Sequence, residues 1–406
     1  MTDNRYVLMN KDRPVLQFET QRNDYGQVIC METVRGMAPM PIGMRYLQNW
    51  LMRRQAPKHR EHILELLRRA HCDDLEGYLN ITHALTLNDT FWVKHPDDQS
   101  TWDDVSLYRN DFNEVIARTA FEGGIHGDDL STTSPEYGTD GAYAKCWVRE
   151  EDGIYLLKSG SAQMGYEPYS EFYAAQVAEK VCWDRVPYTL AEYRGKLVSK
   201  CKLFTSESEG YAAANKLLPP DATISDLLRY FDKLGSVDDF RRMLVLDALI
   251  VNSDRHMGNF GVIFDSDTMQ IKRMAPVFDH NQSLMCYAQD KDMSDLDRYL
   301  STKAPKIGED YNTLAHDILT PEIRSDLLNL RGFTFQRDVQ FNLPPQRLRQ
   351  LEGFIGRQVD NILERRSFYM SFIKTHGSSL DEKIQAANRK LPQQKSVGLF
   401  EQGRSL

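Results

Sequence analysis

The segment that decides the fold is Val251-Asn-Ser-Asp-Arg-His-Met-Gly-Asn-Phe260. An apolar stretch typical of a helix precedes it, and two short strand-like runs follow it, at 261–264 and 270–274. The second run leads into Ala275-Pro-Val-Phe-Asp-His-Asn-Gln-Ser-Leu284. The chain order is therefore a helix, a D-R-H-x-x-N loop, a hairpin and an F-D pair.

Three polar side chains of these segments have a spacing that suggests chemistry. Asp254 lies five residues before Asn259, so a tight loop can present both side chains on one side, and Asp279 follows 25 residues after Asp254. Phosphoryl transfer from a nucleotide needs one carboxylate to accept the acceptor's proton, and an amide and a second carboxylate to hold Mg²⁺. Each residue alone is typical of ordinary loop capping. Their order and setting favour a kinase-like site.

Two upstream residues test this interpretation, because a kinase needs a strand lysine for the nucleotide phosphates and a helix acid to orient it. The run Ile154-Tyr-Leu-Leu-Lys158 supplies the lysine. Glu171 supplies the acid 13 residues later, near the start of a predicted helix, and Glu167 is a rival for that role. The alternative for Lys158 is a surface lysine at the end of a strand.

A phosphate-covering loop is expected before the lysine strand, and Gly138-Thr-Asp-Gly-Ala-Tyr-Ala-Lys145 is the candidate, because its glycines let backbone amides approach an anion. It lacks G-x-G-x-x-G, so a plain hairpin turn is the alternative. The run Val198-Ser-Lys-Cys-Lys-Leu-Phe204 lies where a hinge would join two lobes. The residues expected to contact nucleotide are Gly138, Thr139, Asp140, Gly141, Ala142, Lys145, Lys158, Lys200 and Lys202.

Composition limits the class of protein. The 406 residues suffice for two to three domains, and the net charge of −8 does not indicate a nucleic-acid binder. No apolar run approaches the ~18 residues of a membrane span, and the N-terminus shows no signal-peptide pattern. The six cysteines form no C-x-x-C pair, which is typical of a cytoplasmic protein with reduced thiols.

The pattern along the chain predicts a module of strands and helices over 1–120, with helices near 41–51, 63–70 and 102–124 and a helix cap at Asp73. The stretch Arg53-Arg-Gln-Ala-Pro-Lys-His-Arg60 is expected to be a solvated helix end, with a patch for an anionic partner as the alternative. A small antiparallel sheet with one helix follows over 121–204, and a mostly helical region over 205–375. Its predicted helices include 224–234, 237–251 and 311–330. Residues 376–406 are expected to be a loose tail.

These motifs together resemble the HipA-like serine/threonine kinases, over roughly residues 121–370. The resemblance implies an α+β, bilobal protein-kinase-like fold, with a small sheet lobe and a mostly helical lobe, here preceded by an N-terminal helical module. It implies that Lys158 contacts the ATP phosphates and pairs with Glu171, and that Asp254 is the catalytic base. Asn259 and Asp279 would bind Mg²⁺, and His256 would support the catalytic loop. Asp247, one or two helical turns upstream, is expected to brace the loop through a hydrogen bond or to be simply buried.

The chain also departs from kinase patterns. His280-Asn281 follows the metal aspartate, where ordinary protein kinases have Phe-Gly. Some HipA-like kinases carry an autophosphorylated serine where this chain has Gly138, although the hydroxyls of Thr133, Ser134 and Thr139 are near in sequence. Residues 1–120 do not match the N-terminal part of the best-known members.

The leading expectation is an ATP-dependent serine/threonine protein kinase of the cytoplasm, in a family with many toxins of toxin–antitoxin pairs. Its expected partners are a protein substrate and, for a toxin, a small DNA-binding antitoxin, with no direct nucleic-acid or membrane contact. The mixed-charge segment Met285–Glu309 is expected to select the substrate. A lipid or small-molecule kinase is the alternative, since D-R-H-x-x-N also occurs in phosphoinositide kinases. An inactive kinase-like binding module is the alternative of another class.

Overall fold

The computed structural model describes residues 4–368, apart from residues 37, 73, 125, 128, 129 and 131. Within these residues the strands form three separate antiparallel sheets, of four, four and three strands. The predicted cap at Asp73 and the predicted tail over 376–406 lie outside the described residues. Among the described residues, no helix is both long and apolar enough to cross a lipid bilayer.

The N-terminal module is a four-stranded sheet covered by short helices. Its elements are β1 (Arg5–Asn10), β2 (Arg13–Arg22), β3 (Val28–Arg35), α1 (Leu47–Met52), α2 (Ile63–Arg69), α3 (Leu75–Thr82), β4 (Phe91–Lys94), α4 (Trp102–Val105) and α5 (Glu114–Glu122). The strand order is β3-β2-β1-β4. Alternating residues of β2, such as Leu16 and Phe18, face a core shared with α1 and α2. The module is therefore more of a sheet than the helical unit that the sequence suggested.

The structure shows the caps of two helices in this module. The carboxylate that caps α3 is that of Asp74, which accepts a 2.9 Å hydrogen bond from the Gly77 amide. The helix predicted over 102–124 is two helices, because the side chain of Asn113 caps a new one by accepting from the amides of Val115 and Ile116.

The basic cluster is divided between the surface and the interior, so the expected solvated helix end is wrong for two of its arginines. Arg54 and Arg60 are buried. Arg54 forms an ion pair with Asp89 at 2.7 Å and donates to the Ala84 carbonyl at 2.6 Å. Arg60 donates to the carbonyls of Glu136 and Thr139, which belong to the next unit. Both guanidinium groups therefore hold the fold together, because they satisfy buried carbonyl oxygens.

The small lobe is a four-stranded sheet with one long helix. Its elements are β5 (Lys145–Glu150), β6 (Gly153–Ser159), α6 (Glu167–Val181), β7 (Tyr188–Tyr193) and β8 (Lys196–Lys202). The strand order is β5-β6-β8-β7. One sheet face packs on α5 through Leu157 and Val198, and the other packs on α6 through Tyr188 and Cys201. The second face is the one that carries Lys158.

The large lobe is mostly helical. Its elements are β9 (Glu209–Ala213), α7 (Ala214–Leu217), α8 (Ile224–Lys233), α9 (Val237–Ile250), β10 (Gly261–Asp265), β11 (Ile271–Met274), α10 (Asp290–Ser294), α11 (Leu296–Leu300), α12 (Tyr311–Asp317), α13 (Pro321–Asn329) and α14 (Pro345–Leu363). Helix α9 is almost wholly buried and packs on α6, α8, α12 and α14. The helix predicted over 311–330 is wrong as one element, because Thr320 caps a new helix that begins at Pro321. The two-lobed arrangement confirms the predicted fold class.

The N-terminal module contacts both lobes. Asn10 donates a 2.7 Å hydrogen bond to the Ser266 carbonyl at the turn between β10 and β11. Lys11 pairs with Asp267 of the same turn at 2.9 Å. At the small lobe, Arg60 holds the segment before β5. The module therefore connects the small lobe with the large lobe.

Candidate active site

The loop that follows α9 is held in shape by a buried ion pair. Helix α9 ends at Ile250, and Val251 adopts a left-handed conformation with φ of 49°. Asp247, one turn earlier, lies 3.0 Å from Nε of Arg255. Arg255 also donates to the carbonyls of Asn259 and Phe278 at 2.8 and 2.5 Å. The bracing role suggested for Asp247 thus corresponds to a real contact, and Arg255 joins the two polar loops.

Asp254 projects from this loop with both carboxylate oxygens occupied. Its Oδ2 accepts a 3.1 Å hydrogen bond from Nε2 of Gln282, and its Oδ1 forms an ion pair with Lys306. Its side chain retains 21% exposure, so the carboxylate stays accessible from the cleft. A carboxylate has about four lone-pair positions, so two contacts leave room for an acceptor hydroxyl.

Asn259 and His256 lie in the same loop. The Asn259 amide nitrogen donates to the backbone carbonyl of Asp254 at 3.1 Å, so the amide oxygen is turned to the other side. His256 is exposed, and its Nδ1 accepts a 3.0 Å hydrogen bond from the Gly258 amide. This contact is of the loop-supporting kind expected for His256.

Lys158, Glu171 and Asp279 meet in the cleft. The Lys158 ammonium lies 2.7 Å from Oε1 of Glu171 and 2.9 Å from Oδ1 of Asp279. Burial lowers the pKa of Lys158, but the charges of Asp279 and Glu171 overcome it and raise that pKa well above its ordinary value. Burial raises the pKa of Asp279, but the Lys158 ammonium outweighs it and holds that pKa well below the ordinary value. Lys158 is therefore charged and Asp279 is ionised at neutral pH.

The loop that carries Asp279 is shaped by contacts with α6 and β7. Asp279 has a φ of 61°, a left-handed conformation that aspartate tolerates better than most residues. Its amide donates to the hydroxyl of Tyr188 at 3.1 Å. The next amide, that of His280, donates to Oε2 of Glu171 at 2.7 Å. Glu171 thus binds the strand lysine with one oxygen and the loop of Asp279 with the other, whereas its rival Glu167 accepts from the Ser161 amide.

The candidate phosphate loop divides into two parts, and its second part faces the cleft. Lys145 is paired with Lys158 across β5 and β6, so the two side chains lie on the same face. Lys145 is buried, and its ammonium donates to the Asp140 carbonyl at 2.6 Å. Burial, with help from the Lys158 charge, lowers the pKa of Lys145 to about 7. Gly141 has a φ of 100°, and a methyl group added there would collide with the Lys145 ammonium.

The first part of the loop is structural, which corrects the prediction for Gly138 and Thr139. Gly138 ends a 3₁₀ turn, Pro135–Gly138, and packs against Thr86 and the carbonyl of Arg54. The Thr139 hydroxyl donates to Pro135 and accepts from the indole of Trp147. The Ala142 carbonyl accepts from the Glu61 amide at 3.0 Å. These groups contact the N-terminal module and strand β5, so they do not line the cleft. The nearby Ser134 is buried as well.

Lys200 and Lys202 are also corrected as nucleotide contacts. In the register of β6 and β8 they pair with Leu157 and Tyr155, whose side chains lie on the face opposite to Lys158. Lys200 forms an ion pair with Glu150 at 2.6 Å, and Lys202 pairs with Asp152 at 3.2 Å. The run 198–204, predicted as a hinge, belongs to β8 as far as Lys202.

Sequence reasoning missed two side chains that contact Asp254 and one contact across the cleft. Gln282 stands three residues after Asp279, so its place in the second polar loop was a usable signal. Lys306 lies 52 residues after Asp254, and no local pattern connects the two. The Tyr143 hydroxyl, in the candidate phosphate loop, bonds to the hydroxyl of Tyr287 in the segment expected to select the substrate.

Comparison with known proteins finds a sequence similarity to a protein kinase. No family model matches the chain. The serine/threonine-protein kinase CtkA of Helicobacter pylori is 26% identical over 180 residues, which is 39% of this chain and 55% of that protein. The crystal structure of this proinflammatory kinase matches 59% of this chain and 95% of its own, with 18% identity and a TM-score of 0.40. HipA from a Shewanella oneidensis toxin–antitoxin complex with HipB and operator DNA matches 88% of this chain and 99% of its own, with 10% identity and a TM-score of 0.47.

The fold and the order of the site residues define a kinase-like protein. The sequence relation to a serine/threonine kinase confirms the resemblance to the HipA-like kinases, and the match spans only about half the length of that curated relative.

Proposed function

We propose that this protein is an ATP-dependent serine/threonine protein kinase of the HipA-like type. The observation that carries the proposal is the cluster in which the Lys158 ammonium lies 2.7 Å from Glu171 and 2.9 Å from Asp279. Arg255 binds the loop of Asp254 to the loop of Asp279, so the candidate base and the charged cluster share one cleft. The small lobe over 121–204 and the large lobe over 205–375 would supply the two sides of that cleft.

In the proposed reaction the acceptor hydroxyl gives its proton to a carboxylate oxygen of Asp254. The hydroxyl oxygen forms a bond to the γ-phosphorus of ATP, and the bond between that phosphorus and the bridging oxygen breaks, so that ADP leaves. Lys158 and Lys145 present ammonium groups to the phosphates from one face of the sheet. Because Lys158 is held by two carboxylates, its charge is positioned before nucleotide binds.

The side-chain oxygens of Asn259 and Asp279 fit Mg²⁺. Asp279 is ionised, and the Asn259 amide is turned so that its oxygen is free of the bond to Asp254. Mg²⁺ prefers a few carboxylate or amide oxygens together with substrate phosphates, and it neutralises phosphate charge. The chain's own part is to hold these two oxygens on adjacent loops, which Arg255 joins.

The acceptor in this proposal is a hydroxyl of a protein, and the site of action is the cytoplasm. A role as the toxin of a toxin–antitoxin pair, with a small DNA-binding protein as the partner, is supported by the resemblance to HipA-like kinases. The D-R-H-x-x-N loop is shared with phosphoinositide kinases, so a lipid acceptor is the outcome against which the proposal is tested.

The test offers γ-labelled ATP and Mg²⁺ to the full chain, with a cell lysate in one arm and phosphoinositide vesicles in the other. We expect label on protein serine or threonine, and none with Asp254→Asn. Asp232→Asn, the same change at an exposed helix position, is the matched control and should behave as the wild type. Label only in lipid would replace the proposal with a lipid kinase, and no transfer in either arm would leave an inactive binding module.

A further inference from the structure

We propose that Lys306 is a positioning residue for Asp254, delivered to the cleft by the segment between α11 and α12. The inference rests on the proposed function, and it adds a residue that lies outside the sequence motifs described above. Its starting observation is the ion pair between the Lys306 ammonium and Oδ1 of Asp254.

The segment that carries Lys306 is docked against the catalytic loop. Pro305 and Ile307, its neighbours on both sides, line a small pocket formed with Asp247 and Arg255. Tyr311 ties the same segment to the loop, because its hydroxyl lies 2.9 Å from the Asn252 carbonyl and 3.2 Å from the Ala304 carbonyl. With its neighbours turned into this pocket, Lys306 is directed onto Asp254, although half of its side chain is exposed.

The loop itself offers no other cation to Asp254. The nearest in sequence, Arg255, is buried and fully committed to Asp247 and to the carbonyls of Asn259 and Phe278. A transferring phosphoryl group brings negative charge towards the Asp254 carboxylate, and an ammonium beside that carboxylate reduces the repulsion. Lys306 also fixes the orientation of Oδ1, while Gln282 fixes Oδ2. The remaining lone pairs then point to the acceptor hydroxyl.

The experiment measures phosphoryl transfer by the full chain, with a protein acceptor found in the lysate arm, for Lys306→Met and Lys306→Arg. We expect Lys306→Met to lower kcat by about tenfold or more, because a charged hydrogen bond to the base is lost. KM for ATP should stay within about twofold, since Lys306 acts on the acceptor side. Lys306→Arg should restore most of kcat, because it keeps the charge.

The matched control is Lys272→Met, which removes another partly exposed lysine of the large lobe, paired with Glu209 and Asp265 at 3.3 and 3.2 Å. It should leave kcat unchanged. If the wild type is active and Lys306→Met has the same kcat, the inference about Lys306 is overturned while the proposed function stands. A rise in kcat would also overturn it, since the pair would then block the acceptor. A wild type that transfers no phosphate would overturn the proposed function and this inference with it.

Discussion

The side-chain amide of Gln282 donates a 3.1 Å hydrogen bond to Oδ2 of Asp254. The backbone carbonyl of the same glutamine accepts from both the amide and the hydroxyl of Ser253, each at 3.1 Å. The loop after β11 and the loop after α9 are therefore joined side by side. These contacts hold two segments that are distant in sequence against each other, which sets the position of the candidate base relative to the candidate metal ligand.

The first prediction concerns the buried charges of the cleft. Lys158→Met should lower the free energy of unfolding by about 3–5 kcal/mol, because it leaves two buried carboxylates without a counter-charge. The side chains of Lys158, Glu171 and Asp279 are only 11, 1 and 22% exposed, so solvent screens them little. Asp279→Asn in the Lys158→Met background should recover part of this loss. Urea denaturation of the wild type, the two single variants and the double variant measures the coupling between the two positions. Additive effects of the two substitutions would contradict the prediction.

The second prediction concerns protonation of Lys145. Its pKa is lowered to about 7 by burial and by the Lys158 charge. Between that value and the ordinary 10.5, the folded chain holds fewer protons than the unfolded one, so this lysine makes stability rise with pH across that window. Phosphates beside the ammonium favour its charged form, so ATP binding near pH 8 should take up about one proton.

Calorimetry of ATP binding in buffers of different ionisation enthalpy measures that uptake. Lys145→Met should abolish it, whereas Lys200→Met, which removes a lysine on the opposite sheet face, should not change it. Equal proton uptake by the wild type and Lys145→Met would exclude Lys145 as the group that titrates.

The third prediction concerns Gly141. Gly141→Ala should weaken ATP binding by about tenfold, the effect of losing one charged contact of ~1.4 kcal/mol, because the new methyl group displaces the Lys145 ammonium. Gly195→Ala is the control, since Gly195 also has a positive φ but has nothing within 4 Å of an added methyl group. If both variants weaken ATP binding equally, backbone strain and not displacement of Lys145 is the cause, and unchanged binding by Gly141→Ala would contradict the prediction.

The fourth prediction concerns the basic cluster. Arg54→Met should lower the free energy of unfolding by about 3–5 kcal/mol, because it leaves Asp89 and several carbonyls without their partner in the interior. Arg54 and Asp89 are only 4 and 12% exposed. Arg53→Met, next to it on the surface, should change stability by less than about 0.5 kcal/mol. Similar urea midpoints for the two variants would mean that the buried pair contributes little.

The sequence predicted the parts of this molecule that depend on local pattern. Lys158 and Glu171 meet as expected, because a strand end and a helix start separated by a short loop leave few arrangements. The roles of Asp254, Asn259 and Asp279 stay predictions that the geometry supports. The break before Pro321 was missed, because one helix was predicted over 311–330, although Thr320-Pro321 is a typical helix start.

What the sequence did not predict depends on contacts between distant segments. Lys200 and Lys202 looked like cleft residues because the run 198–204 was expected to be a hinge, but the face to which each side chain points follows from the pairing register of β8 with β6. The Arg53 to Arg60 cluster was expected at the surface because arginine is rarely buried. Arg54 is nevertheless buried and forms an ion pair with Asp89, which lies 35 residues later in the sequence. Lys306 reaches Asp254 through the tertiary fold alone.

The two-sided attachment of the N-terminal module has a consequence for how such a chain can be recombined. Arg60 secures the segment before β5, and Asn10 secures the turn between β10 and β11. A foreign module grafted in its place would need an arginine for the carbonyls of Glu136 and Thr139, and a donor for the Ser266 carbonyl, at matching positions. The module and the two lobes are therefore one unit of exchange, and chimaeras with a junction near residue 120 should fail unless both sets of contacts are transplanted together.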